Sequence, residues 1–431
     1  MKNVLMVTVD SLRADACGFV GDGGQTPYLS SLADDGVVYE NAIAPGPRTP
    51  CSVPVSHTGE PERNSAFTSD ERWAAIGRHV ETHTTIPEQF KQLGYQTIGF
   101  TANPWTAYET NFDAGFDEFY ELRPGADNGF ETLPDVGMLG TVDDILTGTK
   151  IGDRFKWRNR REWFAHWTAF YKEIEQKLSD MDEPYFAWVF VMDTHQPYIL
   201  PSEFRTETNL PKTLYSLMQY ERDDEQRLPS HVVKWLKEAY RDCVRSADRF
   251  VERLYKNLQS PETLLVFNAD HGEAHGEHGT FGHEYQLYEE NIHVPFLVHG
   301  LGECQTIKDP LSLTRLPQLL EHFATESRPN PASFTDKFVV SDVESHRFSK
   351  HRAELNGYAP HFATVRSNDL KYIDTASGAE LYDLSADPDE TDELSREHPE
   401  LVELLSELTT IRTVKPNEKL SIVQAIQKIH S

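Results

Sequence analysis

Leu264-Leu265-Val266-Phe267-Asn268-Ala269-Asp270-His271-Gly272-Glu273-Ala274-His275-Gly276-Glu277-His278-Gly279 begins as a strand and ends as a set of polar ligands. Its first half is apolar, of strand length and bounded by polar residues, the pattern of a buried strand. Asp270 and His271 follow at once, with glycines at 272, 276 and 279. In open α/β sheets the carboxyl ends of strands gather ligands, because loops there present polar groups from a rigid base. A carboxylate next to an imidazole offers a hard oxygen and a borderline nitrogen, half of a metal site. Glycines let such a backbone pass close to a bound anion. A histidine-rich solvated turn is the plain alternative, and residues elsewhere in the chain weigh against it.

Working outward, Asn3 to Val9 is a nearly continuous apolar run, expected of a central strand buried on both faces. It delivers Asp10, followed by Ser11, Arg13 and Asp15. A buried acid there needs a cation or must cap a helix. Thr26-Pro27 predicts a capped helix over Tyr28 to Asp35, ended by Gly36, then a strand over Val37 to Ile43. Residues 60 to 85 are polar and read as an insertion. A helix at Pro87 to Leu93 precedes a strand at Tyr95 to Thr101, the order of a wound sheet. Trp163, Trp167, Phe170 and Ile174 form a helical core stripe within Arg158 to Leu178. Strand Tyr185 to Met192 ends in Asp193-Thr194-His195-Gln196-Pro197-Tyr198, and a long helix spans about His231 to Leu258. Leu313 to Phe323 reads as a helix. From Phe334 the texture changes to short strands at Phe338 to Asp342, Phe362 to Arg366, Leu370 to Asp374 and Glu380 to Leu384. A helix from Pro399 to Thr409 follows, and Thr413 to Ser431 reads as a fraying end. No internal repeat or low-complexity tract occurs.

The composition sets limits. At 431 residues the chain exceeds one small core, so a large domain plus a lesser one is expected. A net charge of −28, from 69 acidic against 41 basic residues, argues against wrapping nucleic acid or lying on an anionic membrane. It suits a soluble protein of a high-salt interior, a halophilic trait. Cys17, Cys51, Cys243 and Cys304 are scattered, without a disulfide framework or Cys-x-x-Cys metal spacing. The N-terminal apolar run carries Asp10, so no signal peptide is expected there, and no stretch approaches the ~20 residues of a membrane span. A cytoplasmic location is expected.

Several segments together resemble the sulfatase family of the alkaline phosphatase superfamily. They are Asp10-Ser-Leu-Arg-Ala-Asp15, TPYLSSLADDGVVYENA from Thr26, and Pro45 to Gly59. To these add His195-x-Pro197-Tyr198, Gly282-His283, YQLYEENIHVPFLVHG from Tyr285, and VRSNDLKYI with ELYDLSADPDETDEL in the tail. The resemblance spans nearly the whole chain. It implies an α/β/α sandwich with a mostly parallel sheet, followed by a smaller α+β domain with an antiparallel sheet, here 1–333 and 334–431. It also implies a rim of the substrate pocket built from the Gly-, Pro- and aromatic-rich stretch from Phe112 to Gly140.

Counting back from Thr58-Gly59 without gaps puts Thr49 where the family carries its nucleophile. Sulfatases proper have Cys or Ser there, in a Cys-x-Pro-x-Arg pattern oxidised to formylglycine. This chain has Thr49, Cys51 and Val53 in those three places, and threonine cannot form that aldehyde. Cys51 and Ser52 remain competing nucleophiles. A hydroxyl at a helix N-terminus beside a divalent cation can be deprotonated and aimed at phosphorus or sulfur. The resemblance implies a metal set of Asp10, Thr49, Asp270 and His271, with His195 and His283 donating to the anion or leaving group. His275 and His278 are weaker candidates. Ser11 stands where the family has a second acid, and His271 adds nitrogen, which favours Mn, Mg or Zn without excluding Ca. No second Asp/His/His set is found, so one divalent ion is expected. Three functions follow: a hydrolase of small-molecule or glycan sulfate or phosphate esters, a phosphotransferase of the same fold, or a non-catalytic binding protein.

Overall fold

The protein is described by a computed structural model covering residues 1–61, 69–122, 166–222, 228–258, 262–344, 361–375 and 378–410. Parallel pairing of consecutive apolar runs builds its centre. Strand β1 (Asn3–Val9) is followed by helix α1 (Pro27–Ala33), β2 (Val37–Tyr39), β3 (Ala42–Ile43), α2 (Thr49–Thr58), α3 (Ser69–Thr82) and α4 (Ile86–Gln92). Then come β4 (Gln96–Thr101), β5 (Glu118–Glu121), β6 (Tyr185–Val191), the long helix Ser230–Leu258 and β7 (Thr263–Ala269). A ribbon of β8 (Ala274–His275) and β9 (Phe281–Gly282) leads to β10 (His293–Val294), β11 (Phe296–His299), β12 (Gln305–Ile307) and β13 (Leu311–Ser312).

The main sheet has eight strands in the order β12-β2-β11-β7-β1-β6-β4-β5. All its pairs are parallel except the two made by β11. Its central strands β1, β6 and β7 are buried along their whole length, as their unbroken apolar runs require. Helices in two groups, each packed internally, accompany the sheet: α1 and Tyr171–Ser179 with Ser230–Leu258, and α2, α3 and α4 with Leu316–Thr325. The tail folds as an antiparallel sheet of β14 (Val339–Glu344), β15 (His361–Arg366), β16 (Leu370–Thr375) and β17 (Gly378–Asp383), covered by Pro399–Thr410. A large, mostly parallel sheet with a small antiparallel one is therefore the architecture.

Local readings are corrected in several places: the strand expected over Val37 to Ile43 is two strands, β2 in the main sheet and β3 in a three-stranded sheet with β10 and β13. The polar stretch from 60 to 85 contains the 14-residue helix α3. Arg72, Ala75, Ile76, His79 and Val80 lie buried on that helix, so two of the inward positions are polar and mask its amphipathic stripe. Thr26 does not cap α1, since its hydroxyl accepts from the Gly18 amide at 3.0 Å. The α1 amides of Tyr28 and Leu29 are instead satisfied by Asp248 of the long helix, at 3.0 and 2.9 Å. The stripe through Trp167 and Phe170 belongs first to a 3₁₀ turn (Trp167–Ala169) and only from Tyr171 to an α-helix. Trp163, the pocket-rim stretch from residue 123 onward and Thr413 to Ser431 lie outside the described residues.

Candidate active site

Ladder register assembles the site. Val9 pairs with both Ala269 and Val191, and Thr101 pairs with Phe190, so four adjacent parallel strands end at one level. The residues just past those ends are Asp10 after β1, Asp270 and His271 after β7, His195 after β6, and Asn103 after β4. Thr49 arrives separately, as the first residue of α2, with Arg48 at the N-cap.

The Asp10 carboxylate is fully buried. Its Oδ1 accepts from the Ser11 hydroxyl at 2.8 Å and its Oδ2 from Asn103 Nδ2 at 2.6 Å, while Thr194 donates to the Asp10 carbonyl. Asp270 Oδ1 accepts from the amides of Ser11 and His271 at 3.2 and 2.9 Å. Ser11 reaches that position in a left-handed conformation, φ 61°, a strain that persists only where surroundings enforce it. Asp270 Oδ2 is buried without a hydrogen-bond donor.

His271 Nδ1 lies 2.8 Å from the Gly272 carbonyl, which can only accept, so Nδ1 carries the proton and Nε2 presents a lone pair. That lone pair faces Asp10 Oδ1 at 3.6 Å and Asp270 Oδ2 at 3.4 Å. Two carboxylate oxygens facing an unprotonated nitrogen repel one another unless a cation lies between them. The three ligand atoms lie within 4.8 Å of one another, and this donor set fits one divalent ion.

The electrostatics point the same way. Burial opposes charge on Asp10, but the imidazoles of His195, His271 and His283 and the Ser11 hydroxyl outweigh it and hold the carboxyl below its usual range. For Asp270, burial and then the Asp10 charge both push the carboxyl well up. His271 is pushed down to about 3 by burial and then by His283, which keeps it a neutral ligand.

Thr49 Oγ1 stands 3.3 Å from His271 Nε2, 3.5 Å from Asp10 Oδ2 and 3.2 Å from Asn103 Nδ2. Of its two competitors, Ser52 donates its hydroxyl to the Asp270 carbonyl at 2.6 Å, and Cys51 packs into a cluster with Ile43, Val339 and Val343. A cleft of about 70 Å³ opens over Thr49, lined also by Arg48, Asn103, Trp105, His195 and His283. His195 Nδ1 donates to the Gln196 carbonyl at 2.7 Å, and its ring lies 5.0 Å from that of His283. His283 Nδ1 pairs with Glu273 Oε2 at 3.1 Å, and burial, with His195 adding, pushes this imidazole down to about 3. His275 instead contacts Arg13 and Tyr198. His278 stacks on Tyr288.

Sequence reasoning missed Asn103, Glu273 and Trp105. Asn103 Oδ1 accepts from the Trp105 amide at 2.8 Å, which fixes the amide group so that Nδ2 faces Asp10 and Thr49. Its signal was its place, two residues beyond a strand whose neighbours also end in polar groups. Glu273 is buried beside His283 and lifted to about 7, chiefly by burial. Trp105 stacks on Trp73 with ring centres 4.8 Å apart, an aromatic wall beside the cleft.

With this geometry in view, the known proteins are informative. The family model for sulfatases matches residues 2–323. The chain belongs to the sulfatase family. It is 24% identical to human iduronate 2-sulfatase over 352 residues, covering 71% of this chain and 61% of that enzyme. It is 22% identical to an arylsulfatase of Clostridium perfringens over 458 residues, covering 94% and 93% of the two chains. The solved phosphonate monoester hydrolase of Agrobacterium radiobacter shares the fold, with a TM-score of 0.65 at 16% identity over 99% of this chain and 96% of that one. The chain thus spans less than two thirds of the human relative's length.

Proposed function

We propose that this sulfatase-family chain is a metal-dependent hydrolase of sulfate or phosphate esters, with Thr49 as nucleophile. The observation that carries the reading is the Thr49 hydroxyl's position at a helix N-terminus, within 3.5 Å of Asp10, His271 and Asn103. Asp10, Asp270 and His271 would hold the ion, with Thr49 completing the set. Such an ion supplies positive charge that favours the ionised hydroxyl and neutralises oxygen charge on the ester. Residues 1–333 would form the catalytic domain and 334–431 the C-terminal subdomain.

In the proposed sequence, Thr49 Oγ1 attacks the central sulfur or phosphorus in line with the departing alkoxide. The O–S or O–P bond to the leaving group breaks as the bond to Thr49 forms, and the proton lost by the Thr49 hydroxyl is taken up at an imidazole Nε2 and passed to the departing alkoxide. His195 and His283 are the assigned donors. Because the Nδ1 atoms are committed to Gln196 and Glu273, exchange falls to their Nε2 atoms. Asn103 Nδ2 is the proposed anchor for one non-bridging oxygen. Water then cleaves the threonyl ester at the central atom and regenerates the hydroxyl.

That last step separates Thr49 from formylglycine, whose hydrate expels sulfate by collapsing to the aldehyde. Threonine has no second hydroxyl, so both halves of its cycle are displacements at the central atom, which suit phosphorus well. Phosphate or phosphonate esters should therefore be turned over at least as well as sulfate esters. The Trp105 wall suits a ring-bearing leaving group, aryl or sugar, through stacking. A small-molecule or glycan ester as substrate and a cytoplasmic location belong to this reading. Among the described residues no helix is long and apolar enough to cross a membrane.

The test is intact-mass analysis and peptide mapping after trapping with aryl sulfate, phosphate monoester, phosphodiester and phosphonate. A covalent adduct on the peptide carrying Thr49, absent in Thr49→Ala, is expected. An adduct or an aldehyde on Cys51 refutes the nucleophile and the preference for phosphorus together.

A further inference from the structure

Beyond the cleft, the structure holds another, largely buried group of metal-ligand atoms, His278, Glu290 and Glu390, all within 4.8 Å of one another. They line a cavity of about 770 Å³ on which the β8–β9 region meets the C-terminal tail. The acids Asp15, Glu277, Glu289 and Asp389 and the bases Arg13 and Arg366 share its walls, so its surroundings favour a cation.

The bases here are already engaged. Lys371 is fully buried between Glu289 Oε1 at 3.0 Å and Glu390 Oε1 at 2.9 Å, and Arg366 pairs with Glu289 at 3.1 Å. Glu390 Oε2 accepts from the Glu289 amide at 2.7 Å, which orients its carboxylate. Glu290 is the acid left over. It is only 7% exposed, its Oε1 has no hydrogen-bond partner, and its Oε2 lies 3.9 Å from His278 Nε2, too far for a hydrogen bond. A carboxylate buried in this way is costly unless it is protonated or meets a cation. The His278 ring is held parallel to Tyr288, with centres 3.7 Å apart and planes 7° apart. Both His278 and Glu390 sit at positive φ, 50° and 53°.

We infer that His278, Glu290 and Glu390 form a second divalent-cation site, separate from the Asp10–Asp270–His271 centre, and that it clamps the tail to the segment following His271. One imidazole nitrogen with two carboxylates favours a transition ion such as Zn²⁺ over Ca²⁺ or Mg²⁺. Bonds of ~2.0–2.2 Å place ligand atoms ~3–3.5 Å apart, so a small inward rotation of Glu290 and His278 closes the set. The role is structural. The site lies outside the reacting cleft and joins residues 278 and 290 to residue 390, far along the chain.

The experiment counts metal per chain after chelator stripping and reloading with Zn²⁺, with circular dichroism as the check on folding. Asp270→Ala should keep one zinc, lost when Glu290→Gln or His278→Ala is added, and zinc should raise the melting temperature of Asp270→Ala alone. Should Asp270→Ala fail to fold, the same two changes are made singly in the native sequence, where each should remove one zinc. An Asp270→Ala protein that binds none, or a zinc count indifferent to both other changes, overturns the inference. Failure of the catalytic reading leaves a different trace. If Asp10 and Asp270 hold no ion, the native chain carries one zinc, and that one is still lost with Glu290→Gln or His278→Ala.

Discussion

Asp270→Asn should have opposite effects on the metal-free and metal-loaded protein. The ligand oxygens of Asp10 and Asp270 lie within 4.8 Å of each other, both fully or nearly fully buried. Two unit charges at that separation repel by about 3.5 kcal/mol at an effective dielectric constant of ~20. Without an ion, burial and the Asp10 charge both favour a proton on Asp270, and removing that proton as pH rises costs stability. A carboxyl whose folded pKa is raised loses stability as pH climbs from the unfolded value of ~3.9 towards the folded one, at roughly 1.4 kcal/mol per pH unit. The neutral side-chain amide of the variant has no such penalty. In chelator, Asp270→Asn should therefore gain stability over the native chain as pH rises from 5 to 8, by at most about 4 kcal/mol, the ceiling set by roughly 1.4 kcal/mol per pH unit. With metal at a hundredfold excess over Kd the native chain should gain about 2.7 kcal/mol at this centre, and the variant little or nothing. Denaturant titrations at pH 5 and 8, with and without metal, measure both effects. A variant less stable than the native chain in chelator at pH 8, or one that gains equally from metal, refutes the shared-ion reading of the pair.

Thr49→Ala should fold, retain metal and lose turnover by roughly 10⁴-fold or more, whereas Cys51→Ala should keep substantial activity in the same assay. Removing one preorganised donor with Asn103→Ala should lower kcat by about 10²–10³-fold with the metal content unchanged by elemental analysis. Glu273→Gln should flatten the pH dependence of stability between about 4.5 and about 7, because the raised pKa of Glu273 makes its ionisation cost stability across that window. Denaturation midpoints at pH 5 and 8 check this. Gly272→Ala should abolish metal binding or folding, since an added Cβ would stand 2.1 Å from the Glu290 carbonyl oxygen, and Gly272→Ser should do no better.

The parts legible in the sequence were those that periodicity alone controls. Unbroken apolar runs at Asn3–Val9, Tyr185–Val191 and Thr263–Ala269 became buried parallel strands, with a polar residue just beyond each end. Thr49 was reached only through the resemblance to the sulfatase family, by counting back from Thr58-Gly59, without any local signal of its own. Other features depend on partners that spacing does not reveal. Asn103 acquires its orientation from the Trp105 amide, and Asp248 caps a helix more than 200 positions away in sequence. Helix α3 was hidden because Arg72 and His79 sit inward, the latter within 2.9 Å of the Thr58 hydroxyl. His278 read as only a weaker candidate because the acids near it, Glu290 and Glu390, come from later in the chain, the second from the tail.

The common level at which β7, β1, β6 and β4 finish ties chemistry to folding. Side chains alternate faces with every residue, so a slip of one position in the β1–β7 ladder would bury Thr8 and Asn268 wrongly and turn Asp10 away from Asp270. Errors of pairing are thus penalised in the core before any substrate is met. The loops beyond the strand ends are spared that task. Past the first residues that follow each strand, those loops can change length and composition while Asp10, Asp270 and Asn103 keep their spacing.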